Sequence, residues 1–410
     1  IAPMCQYSAN DGCASDWHLH QIMSYAMSGA GVVTLEATGV TREGRISPGC
    51  LGLYSQANEE ALARVIAIAK KFALPGFKLG IQLCHAGRKA STPCPWDRGA
   101  ALTPEKGAWQ TVAPSPIAFE KDGAAPIELT NAQIEDIIHG FGEAAKRAVR
   151  AGLDVIEIHA AHGYLIHQFL SPISNHRTDD WGGTPEKRMR FALAVAKAVR
   201  GAAPAHIAVG ARINSTDFLD EGLQVEDAIT VGKGLRDNGF DYVCVSSGNI
   251  VPGGRPALGP GFNVERAAHI KRETGLVTRT VGFIAGPKHA EEVVTTGGVD
   301  QVALARAFLD DSNWGWHAAE ALGLAQQKIG VADPAGAARE LAADRIEPAI
   351  GAQEERIGLI TQEREPAGIE HHAVEPVTVR HQKAAAISGD MARFEREFHA
   401  AEADPGVRAQ

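Results

Sequence analysis

The stretch Asp154-Val155-Ile156-Glu157-Ile158-His159-Ala160-Ala161-His162-Gly163-Tyr164 passes from apolar, β-branched residues straight into two histidines and a tyrosine. An apolar run of this kind reads as a buried parallel strand. Polar groups just past the carboxyl end of such a strand are where α/β folds carry out chemistry. Two imidazole donors and a phenol on one short turn can bind a carbonyl oxygen and deliver a proton. His159 and His162 are therefore candidate ligands of a polarised carbonyl, and Tyr164 is the candidate proton donor. Zinc ligation is the weaker reading, because His-x-x-His here lacks the carboxylate partners and further placed histidines of barrel hydrolases. His167 and His176 have no carboxylate beside them in the sequence and read as residues that order the loop.

Such a turn needs a scaffold, and the sequence repeats one theme: a short β-branched run, a polar or glycine-rich break, then a helical stretch. The runs are Ile1–Ser8, Gly31–Thr38, Lys78–His85, Asp154–Ala161, Ile207–Asn214, Tyr242–Gly248, Val277–Phe283 and Gln301–Phe308. Helical patterns between them include Asn58–Ala73, Asn131–Gly152 and Pro185–Arg200. Thr130 and Thr184 suit N-cap positions, and Pro185 suits a first helical turn. Eight alternations favour an α/β fold of the (β/α)8 TIM barrel type over an open doubly wound sheet. No GxGxxG follows the early strands, which weakens a Rossmann reading. Two connections, Ala86–Glu128 and His162–Gly183, are long enough to serve as lids or pocket walls. The barrel is expected over residues 1–329. From 330 to 410 the chain turns to Ala, Glu and Arg with little apolar periodicity, and reads as a tail of uncertain order, either disordered or loosely helical or a small packed appendage, and dispensable for the barrel.

Each expected strand ends in something chemically pointed. The first gives Met4, Cys5 and Tyr7, the second Glu36 and Ala37, and the third Gln82 and His85 with Arg88 and Lys89 following. The fifth carries Arg212, a cation on an otherwise apolar strand, whose burial is costly unless a negative ligand answers it. The sixth ends Ser246-Ser247-Gly248, the seventh Gly282-Phe283 and the eighth Ala305-Arg306. Loops after the seventh and eighth strands of a barrel often cradle a phosphate through backbone N–H groups. Together these residues describe a phosphorylated cofactor across the mouth of a barrel. Cys84 and Cys244 fall within strands and read as core, and the Trp314/Trp316 pair reads as packing.

The pattern resembles the Old Yellow Enzyme family of FMN-dependent ene-reductases, in its bacterial branch with a cysteine beside the flavin, similar to xenobiotic reductases. The motifs are Ala2-Pro3-Met4-Cys5-Gln6-Tyr7-Ser8, Gln82-Leu83-Cys84-His85-Ala86-Gly87-Arg88-Lys89-Ala90, and Glu157 to Tyr164 continued by Asn175-His176-Arg177-Thr178-Asp179 and Gly182-Gly183. The resemblance spans Ile1 to Leu322. It implies non-covalent FMN, with NADPH or NADH as hydride donor. Gln82 and Arg212 would contact the flavin's pyrimidine edge, and Pro3, Met4 and Ala37 would pack on or hydrogen-bond it through backbone groups. Ser247, Gly248, Gly282, Phe283, Ala305 and Arg306 would hold the ribityl chain and phosphate. Cys5 would adjust the flavin's potential. His159 and His162 would clasp the substrate oxygen, Tyr164 would protonate, and Tyr7 would line the opposite wall.

The implied activity is NAD(P)H-dependent reduction of activated carbon–carbon double bonds. Nitroester or nitroaromatic reduction on the same site is an alternative, and an inactive truncated barrel without flavin is another. The latter follows from two departures from the family: the segment that usually precedes the Pro-Met-Cys motif is not matched, and the sequence after Leu322 does not match the usual tail. A homo-oligomer stays open on these grounds.

The bulk composition of the 410 residues agrees with a globular enzyme: 45% hydrophobic and 22% charged. The net charge of -9 argues against a nucleic-acid partner. No apolar run of about 18 residues suggests a membrane span. No signal-peptide pattern opens the chain. The cysteines Cys5, Cys13, Cys50, Cys84, Cys94 and Cys244 form no CxxC pair or disulfide framework, so a cytoplasmic setting is the expectation.

Overall fold

The computed structural model describes residues 1–97, 102–253, 256 and 258–324. The expected tail at 330–410 lies outside the described residues. Residues 1–92 and the described part of 102–324 form one compact unit, while 93–97 belong to a second.

The first half of the chain forms α1 (Asp16–Ala26), β1 (Val32–Gly39), α2 (Gln56–Lys70), β2 (Lys78–Cys84), β3 (Val112–Ala113), β4 (Ile127–Glu128) and α3 (Asn131–Arg150). There follow β5 (Val155–Ala160), α4 (Leu165–Leu170), α5 (Pro185–Ala202), β6 (Ala208–Asn214), α6 (Val225–Asp237) and β7 (Tyr242–Ser246). The last part holds α7 (Val264–Thr274), β8 (Val277–Thr280), α8 (Pro287–Thr295), β9 (Gln301–Val302), α9 (Arg306–Asp310) and α10 (Trp314–Ala321). Seven strands make one parallel sheet in the order β1-β2-β5-β6-β7-β8-β9. β3 and β4 pair separately, within the first long connection. This is the α/β barrel that the alternation implied.

The expected first strand, Ile1–Ser8, is not one. Its first two residues nevertheless take the eighth place in the ring. The Ala2 N–H donates to Leu304 O at 2.8 Å, the Ile1 ammonium to Val32 O at 2.6 Å, and Thr34 N–H to Ile1 O at 3.1 Å. A ladder cannot continue from there, because Pro3 has no N–H to donate and Tyr7 sits at φ +49°. Three later strands also end at least two residues sooner than expected, β7 at Ser246, ahead of Gly248 at φ +74°. β8 stops at Thr280, since Gly282 and Phe283 lie at φ +136° and +48°. β9 covers only Gln301–Val302, because the chain turns at Ala305 into α9, which contains Phe308.

The helices form where caps and apolar spacing agree. Thr130 accepts from Gln133 N–H and closes a capping box at the start of α3. Ile134, Ile137, Ile138, Phe141, Ala144, Ala145 and Ala148 then bury one face of that helix. Full burial of such an Ile or Phe contributes about 1.5–3 kcal/mol, so Phe141→Ala is the change that would most loosen the α3 seat. Thr184 caps α5, with Pro185 in the first turn. Inside the ring, Ala2, Val155, Tyr242, Cys244, Val281 and Ala303 form a small apolar cluster. The Tyr242 ring crosses β6 directly over Gly210, where any Cβ would collide with it. A glycine at 210 is thus what lets a tyrosine fill the barrel interior. Trp314 and Trp316 pack as expected, donating from their ring N–H groups to Ala285 O and Met27 O, both at 2.8 Å.

Candidate active site

His159 closes β5 with its ring almost wholly buried. The Ala161 N–H donates to His159 Nδ1 at 3.2 Å, so Nδ1 is an acceptor and the proton of the neutral ring resides on Nε2. Burial, followed by the nearby Arg212, Lys89 and His167 charges, holds the pKa well below 6.5. The ring is therefore a neutral N–H donor at pH 7. It meets His162 edge-on at 5.1 Å and Tyr164 edge-on at 4.7 Å between ring centres. Burial, then the neighbouring Cys5, Cys84, Tyr7 and Cys50, pushes the Tyr164 hydroxyl well above 10, so it keeps its proton. The same set of neighbours brings the wall carrying Tyr7 and Cys5 to the β5 turn.

The turn itself is built by conformation. His162 and Gly163 sit at φ +56° and +72°. A Cβ at 163 would strike Asn249 O, which makes the glycine necessary. The His162 N–H donates to Asn214 Oδ1 at 3.2 Å, and its Nε2 pairs with Ser246 Oγ at 2.6 Å. Asn214 Nδ2 in turn donates to Gly248 O at 2.7 Å. Lys89 Nζ donates to His162 O at 2.8 Å and Asn249 O at 3.3 Å, and lies 5.3 Å from the Tyr164 ring centre. Lys89, near the start of the first long connection, thus clamps two other loops together. His167 orders the loop as expected, accepting from Gly163 N–H at 2.8 Å. The carboxylate missing from its sequence neighbourhood is supplied by tertiary structure. Asp217 Oδ1 stands 2.9 Å from His167 Nε2, out of line for a linear hydrogen bond, with both side chains fully buried.

Arg212 lies in register with His159 on one side and Cys244 on the other. Its Nε is buried and has no hydrogen-bond partner among the described residues, although the residue as a whole is only half-buried. The fully buried cation expected from the sequence is thus met only at this one N–H, which an anionic or carbonyl-bearing ligand would satisfy. Below it, Gln82 Nε2 donates to Glu157 Oε1 at 2.7 Å. Glu157 is fully buried, accepts from the Tyr242 hydroxyl at 3.0 Å, and has Arg279 Nη1 at 3.6 Å. This interior network holds the Gln82 amide in one orientation.

The loops after β7, β8 and β9 bring backbone groups and one charge, Arg306. The Ser247 hydroxyl donates to Asn263 Oδ1 at 3.0 Å, and Gly248 lies at φ +74°. A Cβ at Gly282 would stand 2.9 Å from the Phe262 ring. Gly282 at φ +136° and Phe283 at φ +48° bend the chain sharply here, and the glycine leaves room for a ligand to approach the backbone closely. The Arg306 guanidinium lies 5.1 Å from the Phe283 ring centre, at the first turn of α9 after Ala305. On the other side Pro3 is half-buried, Met4 packs against the main core, and Ala37 follows a register shift that leaves Glu36 as an extra residue in β1. A phosphorylated aromatic cofactor fits this set: an orphaned N–H of a cation at one end, a glycine-lined bend at the other.

Comparison with known proteins agrees. The NADH:flavin oxidoreductase / NADH oxidase family matches residues 1–325, so the chain belongs to that family of FMN-dependent, nicotinamide-reduced oxidoreductases, the Old Yellow Enzyme type. It is similar to an NADPH dehydrogenase of Geobacillus thermodenitrificans, 40% identical over 326 residues that cover 79% of this chain and 90% of that protein. An NADPH dehydrogenase of Listeria innocua is also 40% identical, over 79% of this chain and 90% of its own length. The structure of morphinone reductase superposes with a TM-score of 0.62 at 26% identity, covering 79% of this chain and 85% of that one. No described helix is long and apolar enough to cross a membrane.

Three roles escaped the sequence reading, although it named Ser246 and Glu157 as residues. Ser246 and Asn214 orient the His162 turn, and both stood visible as polar residues at strand ends. Glu157 shares a strand face with His159 at a spacing of two, which was the available signal for an inward carboxylate.

Proposed function

We propose that this enzyme reduces activated carbon–carbon double bonds of α,β-unsaturated carbonyl compounds, with His159 and His162 as the oxygen site and Tyr164 as the proton donor. The carrying observation is the His159 ring: neutral, buried, with its proton on Nε2 and edge-on to both His162 and Tyr164. A neutral donor in a water-poor site strengthens its hydrogen bond as negative charge builds on a carbonyl oxygen, which lowers the barrier more than the ground state. Such polarisation leaves the β carbon electron-poor. The Tyr164 phenol keeps its proton until the α carbon can take it.

FMN would be held by Gln82 and Arg212 at the pyrimidine edge, by Pro3, Met4, Cys5 and Ala37 along the ring, and by Ser247, Gly248, Gly282, Phe283, Ala305 and Arg306 at the ribityl phosphate. Bound FMN would supply two-electron hydride chemistry between NADPH or NADH and the alkene. Arg212 suits that cycle, because a fixed cation favours the extra negative charge of a reduced flavin. Tyr7 lines the substrate wall opposite Tyr164. We assign the whole of this machinery to residues 1–329, with 330–410 dispensable for it.

Two measurements test the reading. Acid precipitation should release FMN, not FAD, into the supernatant. Anaerobically reduced enzyme mixed with 2-cyclohexenone should then reoxidise in one kinetic phase with formation of cyclohexanone. Reoxidation by oxygen alone, with no saturated ketone formed, would refute alkene reduction.

A further inference from the structure

Beside the histidine turn, three potential metal ligands converge where β1 meets the loops on either side of it. Cys5 Sγ, Cys50 Sγ and a Glu36 carboxylate oxygen all lie within 4.8 Å of one another. Cys50 is fully buried and Glu36 nearly so, while Cys5 is half-buried. The two thiols hydrogen-bond each other. The bulge at Glu36 is what turns this carboxylate out of the regular ladder.

We propose that Cys5, Cys50 and Glu36 bind one thiophilic divalent cation of the Zn2+ or Cd2+ class. Two thiolates and a carboxylate are a three-ligand set such ions accept, with a fourth position left for water. Around a tetrahedral zinc with Zn–S of about 2.3 Å, two sulfurs stand about 3.8 Å apart, so the donors need close by about an ångström at most. Binding releases both thiol protons to water: the cation plus two thiols and one carboxylate gives a singly negative complex and two protons. No electron moves.

A supporting shell is already in place, which distinguishes this cluster from a chance meeting of cysteines. Glu36 Oε1 is 3.1 Å from His18 Nε2 on α1, and Glu36 Oε2 accepts Gln6 N–H at 3.2 Å. His18 Nδ1 in turn accepts the Ser15 N–H at 3.0 Å, which puts the ring proton on the nitrogen facing Glu36. A carboxylate oriented by a second donor is how ligating carboxylates are usually held. Ser47 Oγ lies 3.4 Å from Cys50 Sγ, the corresponding contact for that thiol. Cys5 also neighbours Tyr164, so a bound cation would tie down a residue at the edge of the substrate site. Metal binding itself stands apart from the alkene reading.

The test titrates FMN-loaded enzyme with Cd2+ and follows the sulfur-to-cadmium charge-transfer absorbance. One equivalent per chain is expected. Cys50→Ala should weaken binding at least 100-fold while leaving metal-free nicotinamide-driven flavin reduction unchanged, and His18→Ala should weaken it about 10-fold. X-ray absorption on the Zn2+-loaded parent provides the variant-free arm: two sulfur and at least one oxygen neighbour are expected. Equal affinity in the parent and Cys50→Ala, or a zinc shell without sulfur, overturns the site.

Discussion

The neutral His159 donor makes a quantitative claim. In His159→Ala the Nε2–H disappears, while Arg212, Gln82 and the Gly282 loop, which share no hydrogen bond with it, stay in place. Loss of one donor to a developing oxyanion costs about 2.7–4 kcal/mol, or a factor of about 10²–10³ in rate. The variant also forfeits two edge-to-face contacts, at 5.1 and 4.7 Å. These are worth about 0.5–1.5 kcal/mol each, but they act on stability and are measured separately by denaturant unfolding. Anaerobic stopped-flow spectroscopy separates the effects on catalysis. Flavin reduction by NADPH should stay within about twofold of the parent, and flavin reoxidation by 2-cyclohexenone should slow by about 10²–10³. Because burial and nearby cations keep His159 neutral, the parental enone rate should show no rise as pH drops from 8 to 6. The double change of His159 and His162 to Ala should slow the enone step little beyond the single change, as residues acting as one unit do. Parental enone rates in either variant, or equal slowing of both half-reactions, would refute the role given to this turn.

Three other outcomes follow from the same geometry. Tyr164→Phe should retain binding of phenol ligands, followed by flavin absorbance, while alkene turnover falls by about 10²–10⁴, the usual worth of a positioned proton donor. Gly282→Ala should weaken FMN at least about tenfold, since φ +136° and the Phe262 ring at 2.9 Å both oppose a Cβ; unchanged affinity by fluorescence titration would dismiss the phosphate contact at this bend. Buried His85 has its pKa lowered to about 4 from 6.5 by burial alone. Above pH 6.5 neither state binds a proton there. As pH falls through 6.5 the unfolded chain takes one up and the folded chain does not, so stability is lost down to about pH 4, by about 3 kcal/mol in total. Urea unfolding of His85→Asn should show a correspondingly shallower loss between pH 7 and 4.5, and identical slopes would contradict the burial argument.

Local chemistry is where the sequence is strongest. The β-branched runs, the caps at Thr130 and Thr184, and the polar residues at strand ends are short-range patterns, so the barrel class and the polar groups gathered at strand ends were legible from them, while their proposed roles toward FMN came from the family resemblance. The cation on β6 was legible for the same reason: Arg212 among apolar neighbours has a solvation cost that burial cannot hide. Pairing across the ring was not. That Ile1 and Ala2 close the barrel with a few hydrogen bonds, while Tyr7 turns away, depends on Leu304 and Val32, which lie far along the chain. Asp217 beneath His167, Ser246 against His162, Glu157 holding Gln82, and Cys50 beside Cys5 are likewise unions of residues tens of positions apart. Side-chain type and spacing are read along one chain direction, whereas tautomer, amide orientation and burial arise from what a second segment brings to the same point. Only the folded ring decides those contacts, because parallel strands set side by side place together residues that no period in the sequence connects.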